Sequence, residues 1–238
     1  MRPIGFSTGA LALSNVREAL RMLAETKCNA VELSALRQSE LLPLVEQIDD
    51  LDLGQFAHIS FHAPSSIDRA FESTAITLLT KVYARGWPII VHPDAMHTVG
   101  EWSHFGNLLC IENMDKRKPI GQTASDLASI FEQFPEASLC MDLGHARQVD
   151  PTMSEATAIL VRFGNKLKQL HVSEVNSQSR HDPLTLEATM AFHRVAQLIP
   201  GGIPVILESR VEESAIEYEI AAALAALDPT RTLVVAGD

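Results

Sequence analysis

The chain has 238 residues, 46% of them apolar, with a formal net charge of −11 and an isoelectric point near 5.2. One barrel of about 250 residues is an ordinary domain size, so this length does not require a second domain, and the apolar share is enough for one large core. The negative balance opposes binding to a polyanion such as nucleic acid, and no apolar run reaches the roughly 20 residues that a membrane span needs.

The opening Met1-Arg2-Pro3-Ile4-Gly5-Phe6-Ser7 lacks the uninterrupted apolar stretch of a secretory leader, and a cytoplasmic protein is expected. The three cysteines are spaced too widely for a CxxC motif. Cys28 closes a predicted helix, Cys110 and Cys140 sit in apolar runs, and all three are expected to be buried free thiols.

In chain order, short apolar runs predict strands at Pro3 to Ser7, Ala30 to Leu33, His58 to His62, Ile89 to His92, Leu108 to Glu112, Ser138 to Asp142, Leu167 to His171 and Val205 to Glu208. Helical stretches separate them. Val16, Leu20 and Leu23 share a face in the first, and Ile216, Ile220, Leu224 and Leu227 in the last. Asn15 with Glu18, and Thr152 with Glu155, have the spacing of helix-start capping boxes. Pro135, Pro151, Pro183, Pro200 and Pro229 fall between units. The fourth connection, His97 to Gly106, is short and holds Gly100, Trp102 and Phe105, so its helix is expected to be reduced or absent. Eight alternating units predict an α/β fold, a parallel (β/α)8 TIM barrel, formed as one domain over residues 1–238.

Six successive strands end in a metal-binding or acid-base residue: His62, His92, Glu112, Asp142, His171 and Glu208. In such a barrel the C-terminal strand ends converge on one mouth, where these residues become neighbours. His, Asp and Glu together make up 39 of 238 residues, so six consecutive endings of this kind are not expected by chance. Three carboxylates brought together raise one another's pKa, and a divalent cation removes that conflict. A mixed nitrogen and oxygen donor set suits zinc or manganese, or iron or cobalt, better than magnesium or calcium. His145, three residues after Asp142, and His181, in the polar loop after the seventh strand, could add ligands, giving one to three ions.

The motifs His62-Ala63-Pro64, Val91-His92-Pro93, Ile111-Glu112-Asn113-Met114, Asp142-Leu143-Gly144-His145, His171-Val172-Ser173-Glu174 and Leu207-Glu208-Ser209 resemble, in order and placement, the xylose isomerase-like barrels. That group includes endonuclease IV, ketose 3-epimerases and sugar phosphate isomerase/epimerase relatives. The resemblance implies a tetrad of Glu112, Asp142, His171 and Glu208 around one metal. It also implies a second position at His62 and His92 bridged by Glu112, and a third at His145 and His181, where Ser179 replaces the family's aspartate.

Two chemistries follow. In an isomerase or epimerase acting on a sugar or sugar phosphate, Glu112 and Glu208 would exchange a proton through an enediolate. In a phosphoester hydrolase resembling endonuclease IV, paired cations would activate water. Isomerisation is the leading expectation from sequence, and a non-catalytic metal- or ligand-binding barrel is a third reading. Candidate substrate contacts are Glu32, Glu174, Arg180 and Arg210, since Ser177 occupies the place of the arginine found in the epimerase segment. Lys116, Arg117 and Lys118 could attract a phosphate. His58 and His193 are expected to pack, and His97 and His104 to lie in surface loops.

Overall fold

The computed structural model describes residues 2–230. Eight parallel strands close a barrel: β1 (Ile4–Ser7), β2 (Ala30–Ser34), β3 (His58–His62), β4 (Ile89–Val91), β5 (Leu109–Glu112), β6 (Ser138–Asp142), β7 (Leu167–Val172) and, after a short hairpin of β8 (Glu174–Val175) and β9 (His181–Asp182), β10 (Val205–Leu207). The order around the barrel is β1, β10, β7, β6, β5, β4, β3, β2. The predicted strands differ from these by a residue or so at their ends, and Glu208 lies just past β10.

Helices α1 (Thr8–Ala12), α2 (Val16–Leu23), α3 (Gln38–Gln47), α4 (Glu72–Tyr83), α5 (Val99–Trp102), α6 (Ala124–Gln133), α7 (Leu143–Val149), α8 (Ser154–Phe163), α9 (Leu186–His193) and α10 (Ile216–Ala226) surround it. The fourth connection has the expected short helix: α5 has four residues and runs into a 3-10 segment, Ser103–Leu108. Among the described residues no helix is long and apolar enough to cross a membrane.

Side chains alternate across each strand. One set, including Phe6, Val31, Leu33, Phe61, Ile89, Val91, Ile111, Met141, Leu170 and Leu207, packs in the continuous apolar core. The other set fills the barrel. There, Ile90, Cys110 and Cys140 make a separate small cluster, while Glu32, Ser60, Gln169 and His171 form a buried polar group. The three cysteines are buried and free.

Two local expectations need correction. Asn15 does cap α2, accepting from Glu18 N at 3.2 Å. Thr152 does not form the expected box with Glu155: among backbone amides its hydroxyl accepts from Ser154 N, at 3.3 Å, the helix starts at Ser154 behind Met153 in the left-handed region, and Glu155 reaches across to Ala124 N. Asp150 supplies the acceptors instead, since its two carboxylate oxygens take the Thr152 and Glu155 amides. In α10, Ile216, Ile220 and Leu227 are buried, but Leu224 is 39% exposed and Ala223 takes the inward place.

Candidate metal centre

The strand ends bring eight predicted residues together: His62, His92, Glu112, Asp142, His145, His171, His181 and Glu208. Glu112 is the hub. Its Oε2 lies 3.2 Å from His62 Nε2 and 3.1 Å from His92 Nε2, and its Oε1 lies 2.9 Å from His171 Nδ1. His171 Nδ1 is also 3.6 Å from Glu208 Oε1, while Glu208 Oε2 is 3.3 Å from His181 Nδ1. His145 Nδ1 stands 3.4 Å from Asp142 Oδ2.

Among the described residues, four sets of donor atoms, each within 4.8 Å of one another, could hold a cation: His62, His92 and Glu112; Glu112, Asp142, His171 and Glu208; Asp142, His145 and His181; and Glu32, His62, His171 and Glu208. Asp142 Oδ2 is buried without a hydrogen-bond partner, which fits a site that takes a cation.

Local backbone contacts aim these groups. His62 Nδ1 lies 2.7 Å from the Ala63 carbonyl, so it donates there and leaves Nε2 free to face Glu112. Asn113 clamps the end of β6: its Oδ1 accepts from Asp142 N at 2.7 Å and its Nδ2 donates to Asp142 O at 2.9 Å. Asp142 Oδ1 in turn caps α7 through His145 N at 2.6 Å.

Burial and charge oppose each other here. Burial pushes the Glu112 carboxyl up, but His171, His62 and His92 outweigh it and hold it well below the ordinary value. Burial pulls His171 down, yet Glu208, Glu32 and Glu112 raise it well above its ordinary value. His62 is raised to about 9 because Glu112 and Glu32 overcome its burial. For Asp142 and Glu208 burial prevails and raises both carboxyls. It also lowers His92 and His181.

A cavity of about 210 Å³ opens over the cluster. Its lining includes His62, His92, Glu112, His145, His181 and Glu208, facing Arg117, Lys118 and Arg210. Arg210 thus lies where a substrate contact was expected. Lys118 is tied to Asp94 at 2.9 Å and Arg117 to Asp115 at 2.8 Å, and Lys116 is exposed.

Other candidates lie elsewhere. Glu32 is wholly buried beneath the cluster and does not line the cavity. Glu174 is engaged by Arg147 at 2.6 Å, outside the cavity, and Arg180 is exposed beyond it. Ser179 does line it, in the left-handed region at φ 53°, with its hydroxyl bound to Gln148 at 2.8 Å.

Among the remaining histidines, His58 packs in the interior against Gln169, and His97 binds the Ile67 carbonyl. His193 is half-buried and His104 exposed. Ser60 and Gln169 belong to none of the sequence motifs, and Asn113 enters them only as the neighbour of Glu112. The signal was present in the period-two spacing of His58, Ser60 and His62, and of Gln169 and His171.

The class these features define is a TIM barrel with a cluster of side chains at its C-terminal mouth that could hold a metal. No family model matches the sequence, and no curated protein does. Solved structures resemble the whole chain. Endonuclease IV from Thermus thermophilus aligns with a TM-score of 0.61 at 16% identity, over 94% of this chain and 98% of that one. A xylose isomerase-like TIM barrel protein from Mycobacterium smegmatis, in complex with magnesium, aligns at 0.58 and 15%, over 96% and 98%. A proposed sugar phosphate isomerase/epimerase from Anabaena variabilis aligns at 0.55 and 14%, over 93% and 88%. The resemblance to xylose isomerase-like barrels holds at the level of fold.

Proposed function

We propose that the protein is a divalent-metal-dependent enzyme that hydrolyses a small phosphoester at the barrel mouth. The double engagement of Glu112 carries this reading. Its Oε2 faces His62 and His92 while its Oε1 faces His171, so its two oxygens belong to two adjoining donor sets. A carboxylate so placed would bridge two cations. His62, His92 and Glu112 would hold one, and Glu112, Asp142, His171 and Glu208 the other. Bound cations would lower the pKa of a water molecule and offset the charge of the phosphoryl oxygens.

The protein's own groups would do the rest. Arg117, Lys118 and Arg210 line the same cavity and would bind and orient phosphate oxygens. Glu208, at the open edge with a carboxyl raised by burial, would accept the proton of the attacking water. As the water oxygen bonds to phosphorus, the bond from phosphorus to the alcohol oxygen would break, and the alcohol would leave with the proton that Glu208 took from the water. The cavity volume of about 210 Å³ favours a small substrate.

The isomerase or epimerase reading has one observation in its favour, since Glu112 and Glu208 both line the cavity. That reading gives no use, however, to the second engagement of Glu112, with His62 and His92 at 3.2 and 3.1 Å.

Elemental analysis of protein purified without chelator separates the two, when combined with assays of p-nitrophenyl phosphate hydrolysis. Hydrolysis predicts two or more metal equivalents, with one equivalent and the activity lost in a His62→Ala/His92→Ala variant. One equivalent unchanged by that variant, with solvent deuterium exchange into a ketose or its phosphate that Glu208→Gln abolishes, would replace the hydrolase by the isomerase.

A further inference from the structure

Glu32 lies out of reach of the cavity, yet three groups meet at its Oε2. These are the Ser60 hydroxyl at 3.1 Å, the Gln169 side-chain amide at 2.7 Å and His171 Nε2 at 3.0 Å. Gln169 is itself held from its other end, with His58 Nε2 2.8 Å from its Oε1. β1 and β10 separate β2 from β7 around the barrel, so the contact between Glu32 and His171 spans the interior.

An ionised carboxylate only accepts hydrogen bonds, so His171 Nε2 carries a proton and donates it to Glu32. Without a cation Nδ1 likewise donates to Glu112 Oε1, at 2.9 Å, and stands 3.6 Å from Glu208 Oε1; with the Nε2 proton held by Glu32, Nδ1 is the nitrogen that would give up its proton to a cation. Glu32 Oε1 is buried with no hydrogen-bond partner. An orphan acceptor of this kind is costly, and its retention speaks for a role beyond packing.

We propose that Glu32 is the positioning residue of the centre: it fixes the ring orientation and tautomer of His171 so that Nδ1 is presented to a divalent cation. Ser60 and Gln169, with His58 behind it, hold Glu32 in place for this task. The inference rests on the reading that the cluster binds a cation. It assigns Glu32 a place behind the ligand His171, although Glu32 also falls in a set with His62, His171 and Glu208 whose donor atoms lie within 4.8 Å.

The test compares wild type with Glu32→Gln, which keeps the side chain's size and removes its charge. Zinc affinity is measured by competition with a chromophoric chelator, ligand geometry from the visible spectrum of the cobalt(II) form, and structural integrity from the melting temperature of the cation-free protein. Zinc affinity is expected to fall ~10–100-fold, with the cobalt band intensity and the cation-free melting temperature unchanged. An unchanged affinity overturns the inference. So does a changed cobalt spectrum, which would make Glu32 a ligand, or a loss of affinity matched by a lowered cation-free melting temperature. If Glu32→Gln does not fold, Glu32→Asp, which withdraws the carboxylate from Nε2 by one methylene, is expected to weaken zinc in the same way, and unchanged affinity there overturns the inference. Failure of the wild type to take up any divalent cation removes the metal reading and this inference together. Tight binding that is indifferent to Glu32 removes only the inference.

Discussion

Glu72 shows what a single buried carboxylate can do away from the mouth. It is 4% exposed at the start of α4 and collects Trp102 Nε1 at 2.8 Å, Thr98 Oγ1 at 2.8 Å, Thr98 N at 2.9 Å and His97 N. The irregular fourth connection is thereby tied to the start of α4 by polar bonds. Burial pushes the Glu72 carboxyl up, but these donors outweigh it and hold it below its ordinary value. A depressed carboxyl stabilises the fold above its unfolded value, about 4.3, and that stability is lost as pH falls through the folded value. Glu72→Gln should therefore cost ~1–3 kcal/mol at neutral pH. The gap from wild type should narrow in urea melts run below about pH 4. At this scale the ligand-type residues were legible because strand ends in a barrel converge. The supporting residues were less so, because Ser60 and Gln169 are ordinary polar residues until the strand register sets them beside Glu32 and His171. Glu32 was noticed at a strand end, but sequence could not show that its side chain turns beneath the cluster and not toward the cavity.

Among the elements, the junction of β6 and α7 is closely packed at the site itself. β6 ends at Asp142, α7 begins at Leu143, and the turn brings Gly144 against the chain beyond β7. A Cβ on Gly144 would stand 2.5 Å from the Ser173 carbonyl oxygen and 2.6 Å from Val175 Cγ2. Gly144→Ala must push α7 away from β8, and with it Asp142 and His145. A loss of ~1–3 kcal/mol is expected from overpacking, together with weakened zinc binding. Denaturant unfolding and a zinc titration would check both. The alternation of strands and helices could be read from apolar runs, and the reduced fourth helix from Gly100 and Gly106. The hairpin of β8 and β9 could not, because its two-residue strands lie in a polar stretch with no apolar periodicity. The start of α8 departs from the sequence pattern because Asp150, two residues before Thr152, takes the Thr152 and Glu155 amides that a box between those two residues would satisfy.

For the molecule as a whole, the balance between fold and site depends on the charge inside the barrel. Carboxylates from β2, β5, β6 and the end of β10 are gathered within a small buried volume, and such crowding opposes folding unless positive charge offsets it. A ligand that binds only the folded state stabilises it by RT ln(1 + [L]/Kd), about 2.7 kcal/mol at a hundredfold excess over Kd. Adding zinc to chelator-treated protein should therefore raise the melting temperature by several degrees in scanning calorimetry. No change on addition, or none on chelation, would contradict the reading of the cluster as a cation site.

The barrel closes where β1 meets β10, with Ile4 opposite Val205 and the Val205 amide bonded to the Pro3 carbonyl at 2.9 Å. These partners are roughly 200 residues apart, and synthesis at ~5–20 residues per second separates them by roughly 10–40 s. Through that interval β1 lacks the strand that covers one of its edges in the closed barrel, and an unpaired edge is open to other strands. Glu208 follows the closing strand directly, so the last barrel strand to emerge also delivers the last member of the tetrad. A chain stopped before this point lacks both the closing strand and Glu208.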